Sequence, residues 1–246
     1  MIERLLRLQR EGGRAVVFTV VEGDGVGGKL LVLEGGESLG DGPPEFAEHA
    51  DALIRGARNR TLEVQGRRVF AEVYGPPPRL FVYGAVDTAE ALSAAAKLLG
   101  WTTIVADARA KFATRERMPS ADELIVAWPE EAFAEVAPDH ATAIVVLTHD
   151  DKFDLPALQL ALAGDAFYVG LIGGRRNQEK KRVRLREEGV ADDALERISG
   201  PCGLDLGAES VPETALSILA EAVAVRNGRS GGPLMQSKQR IHAEVE

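Results

Sequence analysis

The stretch Arg79-Leu-Phe-Val-Tyr-Gly-Ala-Val-Asp-Thr-Ala-Glu-Ala-Leu92 decides the fold. Leu80–Tyr83 is an apolar, aromatic and branched run of strand length. Gly84 permits a tight turn, and Asp87 onward is rich in alanine, the strongest helix former. A strand that feeds a helix N-terminus through a small-residue turn is how dinucleotide-binding folds offer backbone N–H groups to a phosphate. Here the pattern G-x-G-x-x-G becomes Gly84-Ala85-Val86-Asp87-Thr88-Ala89. The first glycine is kept. Val86 puts a branched side chain, and Asp87 a negative charge, where a pyrophosphate approaches in such folds.

Strand and helix then alternate to the end of the chain. Strand runs are Thr102–Ala106, Glu123–Ala127, Ala143–Leu147 and Ala166–Ile172. Helices are expected over Asp87–Leu99, after Pro129, over Leu155–Ala163, from Arg175 to about Glu188 and over Pro212–Arg226, with Glu213 in the first turn of the last. Apolar strands alternating with helices imply a mostly parallel sheet covered on both faces. Upstream the pattern differs. Met1–Arg10 reads as a short charged amphipathic helix and not as a signal peptide. Ala15–Val21 and Lys29–Leu33 read as an antiparallel pair around a glycine-rich loop, and a helix is expected from Pro43-Pro44 to Arg58. Thr61–Val64 and Arg68–Tyr74 form a hairpin around Gln65-Gly66-Arg67. Gly75-Pro-Pro-Pro78 is the natural boundary. The expected organisation is therefore a smaller N-terminal α+β domain over 1–75, a Rossmann-like domain over 79–234 and a tail over 235–246.

Composition excludes several classes. The chain has 246 residues, 45% of them hydrophobic, enough for a sizeable core, and a net charge of −9 without a basic run, which argues against nucleic acid as a partner. No stretch approaches the roughly 20 apolar residues of a membrane span. Cys202 is the single cysteine, so no internal disulfide forms. These features point to a soluble cytoplasmic protein.

In open parallel sheets ligands bind beyond the carboxyl ends of the strands. Four such ends carry distinctive residues: Gly84–Asp87, Asp107–Arg109, Thr148–Asp150 and Gly170–Arg176. Asp107 follows Gly84 at close to the roughly 20-residue offset at which a carboxylate meets a ribose, or else caps its own loop. Arg109 pairs with a phosphate or with Asp107. His149 is placed for proton transfer or ligand contact, with Thr148 and Asp150 at hand to fix its tautomer, or bonds adjacent loops. Gly173-Gly174-Arg175-Arg176 combines sharp backbone turning, a helix N-terminus and two fork-shaped donors, a pattern suited to a phosphate or carboxylate. Lys180, Lys181, Arg182, Arg184 and Arg186 read as that helix's solvated face. His49, His140, His149 and His242 show no metal-ligand spacing. Cys202 lies in the glycine-rich loop Ser199–Ala208, where a lone cysteine is more often inert than reactive.

These blocks, in order, together with Tyr168-Val-Gly-Leu-Ile-Gly-Gly-Arg-Arg176 and Gly203-Leu-Asp-Leu-Gly-Ala208 followed by Glu213, Ser217 and Glu221, resemble the XdhC/CoxI family of xanthine dehydrogenase accessory factors over about Arg79–Leu234. The resemblance implies a C-terminal Rossmann domain and a smaller N-terminal domain. It implies an accessory, chaperone-like role rather than catalysis: binding molybdenum cofactor, protecting it during sulfuration and delivering it to a molybdenum hydroxylase apo-enzyme. A cysteine desulfurase partner belongs to the same implication, and a homodimer is compatible with it. Where many members have Gly-Ser-x-Pro-Arg, this chain has Gly23-Asp-Gly-Val-Gly27. Where many have Gly-Cys-Val-Glu, it has Gly40-Asp-Gly-Pro-Pro-Glu-Phe46, without cysteine. Where the usual turn is Gly-Ala-Gly-His, it ends in Val86 and Asp87. Two other readings use the same fold: an NAD(P)-dependent oxidoreductase, which Asp107 favours, and a nucleotide-sensing or protein-interaction module.

Overall fold

The structure, a computed structural model, describes residues 1–238. The chain divides into two compact units, Met1–Pro76 with the stretch from Gly232, and Pro77–Gly231. The tail expected over 235–246 lies, from residue 239, outside the described residues.

The first unit comprises α1 (Ile2–Arg10), β1 (Ala15–Glu22), β2 (Lys29–Leu33), β3 (Ser38–Gly40), a 3₁₀ turn (Pro44–His49), α2 (Ala50–Gly56), β4 (Arg60–Val64) and β5 (Arg67–Tyr74). Its strands form one antiparallel sheet in the order β3-β2-β1-β5-β4. Period-two alternation sends Val16, Phe18 and Val20 toward Phe46, Leu53 and Ile54, and sends Ala15 and Val17 toward Leu8 of α1. The helix expected over Pro43–Arg58 is split. The segment behind Pro43 winds as 3₁₀, with Phe46 N–H donating to the Pro43 carbonyl, and α2 ends at Ala57, which is left-handed at φ 47°.

The second unit contains β6 (Arg79–Tyr83), α3 (Asp87–Leu98), β7 (Thr102–Ala106), β8 (Glu123–Ile125), α4 (Pro129–Val136), β9 (Thr142–Val146), α5 (Asp151–Ala163), β10 (Tyr168–Leu171), α6 (Arg175–Glu187), α7 (Asp192–Glu196), β11 (Ile198–Ser199) and α8 (Val211–Arg226). Its six strands are all parallel, in the order β11-β10-β9-β6-β7-β8. Counted from β6, this is the 3-2-1-4-5-6 order of the Rossmann fold, with its reversal between β6 and β9. Both faces of the sheet are covered. Phe81, Tyr83, Ile144 and Val146 pack under α4 and α5, while Leu80, Val82, Val145 and Leu147 pack under α3 and α8. This double burial is why the central strands β6 and β9 read as near-continuous apolar runs.

Three local readings change. α5 starts at Asp151, four residues before the expected start, because Asp150 caps it by accepting from Lys152 N–H at 3.2 Å. Pro156, second in the expected helix, therefore sits in the interior of α5. α7 and the two-residue edge strand β11 were not expected; both are too short to show a period.

Candidate functional site

The reversal brings the ends of β6 and β9 side by side. Gly84, at φ 119°, donates its N–H to the Ala106 carbonyl at 2.7 Å. A Cβ there would stand 3.0 Å from the carbonyl carbon of Leu147 and the nitrogen of Thr148, so only glycine lets the two strand ends pack backbone to backbone. Val86 is the N-cap of α3 and makes no side-chain cap. Asp87, first in the helix, is 82% exposed and pairs with Arg117 at 3.0 Å.

Asp107 lies at the end of β7, 1% exposed. One oxygen accepts from Arg109 N–H and Nε at 2.9 Å each; the other accepts from Ala85 N–H at 2.9 Å and Arg109 Nη2 at 2.8 Å. Burial pushes its pKa up, but the Arg109 and Ala85 bonds outweigh burial and hold the carboxyl below its ordinary value. Of the two readings of Asp107, the geometry is that of a loop clasp: both oxygens tie the β6–α3 turn to the β7 loop, and Arg109 pairs with Asp107. Arg109 is held on Asp107, its guanidinium 4.3 Å from the Phe112 ring centroid.

At the end of β9 the backbone passes through His149 in the left-handed region, φ 58°. Its neighbours do not orient its ring. The Thr148 hydroxyl donates inward to Asp154, and the Asp150 side chain caps α5. His149 is exposed, and a Cβ placed on Gly173 would lie 3.9 Å from its Nδ1, so the imidazole stands beside the β10–α6 turn.

That turn carries Gly173 at φ 123°, Gly174 as N-cap, and Arg175 and Arg176 as the first two residues of α6. Both arginines are exposed, and among the described residues neither guanidinium has an ion pair or hydrogen bond. The turn is pinned from behind. Gln178, 3% exposed, donates its amide N–H groups to the carbonyls of Leu171 at 3.0 Å, Ile172 at 3.1 Å and Gly173 at 3.4 Å. Lys181 is buried, not solvated. It donates to Asp154, itself 1% exposed, and pairs with Asp151 at 2.9 Å. Its pKa is raised because these two carboxylates outweigh the burial that would lower it. Arg182 is also withdrawn from solvent, donating to the carbonyls of Leu195 and Ile198. Arg184 and Arg186 pair with Asp151 and Asp192, leaving Lys180 exposed. Thr148, Asp154 and Lys181 therefore form a continuous polar link from the His149 loop to the arginine-bearing helix. Neither pairing has a sequence signal, since each joins different elements.

On the far side of β10, Glu221 of α8 accepts from Tyr168 O–H at 2.5 Å and Gly203 N–H at 2.8 Å. Burial, then the Glu221 charge, pushes the Cys202 thiol up to about 12, so it is a protonated, unreactive thiol at neutral pH. Among the described residues no group of three or more His, Cys, Asp or Glu side chains is arranged to hold a metal ion. No helix among them is long and apolar enough to cross a membrane.

A parallel 3-2-1-4-5-6 sheet with glycine turns at its carboxyl edge defines a Rossmann-type module. The XdhC Rossmann domain matches residues 80–222, more than half of the chain, and the chain belongs to the XdhC family. It is 33% identical over 171 residues to an uncharacterized protein of Escherichia coli K12, YqeB, covering 68% of this chain and 31% of that one. It is 30% identical over 162 residues to a Bacillus subtilis protein named as a probable xanthine dehydrogenase subunit, covering 66% and 47%. It is 29% identical over 153 residues to the molybdenum cofactor insertion chaperone PaoD of E. coli K12, covering 62% and 42%. These matches span less than half the length of each relative. The crystal structure of a xanthine dehydrogenase from Bacillus halodurans shares the fold, with a TM-score of 0.70 at 22% identity over 92% of this chain and 66% of that one.

Proposed function

We propose that this chain is an accessory factor in the maturation of a molybdenum hydroxylase, holding molybdenum cofactor as cargo at the carboxyl edge of β6, β9 and β10 and passing it to the apo-enzyme. The observation that carries the reading is the pair of exposed guanidiniums of Arg175 and Arg176, unpaired among the described residues, on the first turn of α6, beside Gly173 and His149. A phosphate-bearing cargo suits this cradle: arginine offers fork-shaped charge-assisted donors, and the helix end adds backbone N–H groups. The names of two relatives, a molybdenum cofactor insertion chaperone and a probable xanthine dehydrogenase subunit, support the same reading. A carrier needs a polar, reversible grip and no nucleophile, and the protonated Cys202 thiol supplies none.

Nicotinamide dinucleotide binding has less support. Asp107 is spent on Arg109 and Ala85, and Val86 and Asp87 stand where a pyrophosphate approaches in dinucleotide folds. The apo-enzyme, a cysteine desulfurase and a second copy of the chain enter the proposal as partners through the family alone.

The test is anaerobic titration with molybdenum cofactor, NAD⁺ and NADPH of the wild type and an Arg175→Ala/Arg176→Ala double variant. Two charge-assisted bonds at about 1.5–3 kcal/mol each predict at least a hundredfold loss of cofactor affinity in the variant. Nicotinamide binding without cofactor binding would overturn the carrier in favour of a redox enzyme.

A further inference from the structure

The edge strand β8 leads into Val126-Ala127-Trp128 at the same carboxyl edge as the arginine turn, and this segment takes no part in the anion cradle. Trp128 is a large apolar side chain that folding leaves 50% exposed, with Val126 beside it in sequence 53% exposed. A solitary exposed tryptophan on a mobile loop would carry little meaning, but this one is held. Tyr83, the last residue of the central strand β6, donates its hydroxyl to the Ala127 carbonyl at 3.0 Å, and the Trp128 carbonyl accepts from Ala132 N–H at 2.9 Å in the first turn of α4. The indole rests on Phe153, in the first turn of α5, with centroids 5.1 Å apart. Phe153 is in turn flanked by two cations, Lys152 Nζ at 4.6 Å and the Arg109 guanidinium at 5.6 Å from its centroid. Both cations are themselves paired, Arg109 with Asp107 and Lys152 with Asp150 at 3.7 Å, so the result is an indole held at the strand ends and backed by a buried ring.

We infer that Trp128 is a stacking platform for a flat, fused nitrogen heterocycle, the pterin of the cargo. This rests on the carrier reading and deepens it by giving the ring system a site separate from the anion cradle at Arg175 and Arg176. A fixed indole face loses little freedom on stacking, and every fused heterocycle has a π face. A purine base shares the flat-ring chemistry, so the test uses both.

The chain has two tryptophans, and the other, Trp101, is 4% exposed against Phe167. Trp101→Phe therefore leaves Trp128 as the sole indole emitter in the full-length protein. Titration with unsubstituted pterin, and separately with adenosine, both without phosphate, should quench Trp128 emission saturably and shield it from acrylamide. Trp128→Phe should keep most of the affinity, and Trp128→Ala, where it folds, should weaken binding about 5- to 100-fold. Quenching by pterin alone assigns the platform to the pterin; quenching by both assigns it to fused heterocycles as a class. No quenching by either, in a protein that still binds molybdenum cofactor in an Arg175-dependent way, overturns the platform and leaves the carrier standing. Pterin quenching in a protein with no affinity for the whole cofactor keeps the platform and sinks the carrier. Because emission is read on Trp128 itself, the test stands even where Trp128→Ala fails to fold.

Discussion

The β6–α3 turn and the β10–α6 turn share one plan. Each leaves a buried strand through a glycine at strongly positive φ, 119° at Gly84 and 123° at Gly173, and enters a helix from an extended N-cap, Val86 or Gly174. Their charges are opposite. α3 opens with Asp87 and Glu90, acids that suit the positive end of its dipole. α6 has no acid in its first turn and opens with Arg175 and Arg176, which its own dipole disfavours by about 0.3–1 kcal/mol each. Their supports differ as well. Asp107 and Arg109 close the first turn from the front, whereas Gln178 and the Asp154–Lys181 pair hold the second from behind and leave its outer surface open. The fold thus offers two helix ends at its carboxyl edge. The first is neutralised internally; the second carries two exposed arginines, for which the proposed function supplies an external anion.

The largest effect should come from removing the second turn's support. Asp154→Ala leaves Lys181 buried with only the partly exposed Asp151, and strips Thr148 of its acceptor. Breaking a buried pair from one side costs about 3–5 kcal/mol, a fall in Tm of roughly 10 °C for a unit of this size. Asp154→Asn, which keeps an acceptor, should lose less. Calorimetry showing Asp154→Ala within about 2 °C of wild type would mean that α6 is not held this way. Next in size is the contrast between the glycines. Both Gly84→Ala and Gly173→Ala force a side chain into a strained region, at about 1–3 kcal/mol. Only Gly84→Ala also drives a Cβ against the backbone of Leu147 and Thr148; the nearest atom at Gly173 is the Gln178 amide nitrogen at 3.6 Å. Urea midpoints should therefore fall further for Gly84→Ala, and equal losses would remove the packing difference between the turns.

Asp107 gives the comparison a pH dependence. Its native carboxyl is held below its unfolded value, so its stabilisation is fully present above about pH 4 and is lost as pH falls through the native value. The stability difference between wild type and Asp107→Asn, followed by urea unfolding from about pH 6 to about pH 2, should shrink on acidification. A constant difference would mean that Asp107 acts through its shape and not its charge.

The central strands β6 and β9 were legible because they are buried on both faces. Ala143–Leu147 and Leu80–Tyr83 are continuous apolar runs with few other ways to fold. Arg175 and Arg176 stood out as candidates because their charge opposes the dipole of their own helix. The anchors were not. Gln178, Lys181 and Leu185 form the buried stripe of α6 at helical spacing, but a glutamine and a lysine in that stripe show no apolar period, so Lys181 reads as solvated until Asp154 is seen opposite it. Pro156 hid the start of α5 because a proline is a stronger sign of a break than Asp150 is of a cap. Asp107 shows a different limit: sequence spacing locates a carboxylate at a strand end but does not reveal which donors already fill it.

The smallest effect is the most discriminating. Asp87→Asn removes the exposed ion pair with Arg117, worth about 0–1 kcal/mol, and one favourable charge at the α3 N-terminus. Stability should change by less than about 1 kcal/mol. If the first turn is closed to phosphate by Val86 and by the Asp107–Arg109 clasp, molybdenum cofactor affinity should also stay within about twofold, because Asp87 then guards nothing. If instead Asp87 competes with an anion for Arg117 and the end of α3, removing its charge should tighten cofactor binding by about tenfold, the equivalent of one charged hydrogen bond regained. That gain would put the phosphate on the first turn and leave Arg175 and Arg176 to some other anion, reversing the assignment of the two helix ends.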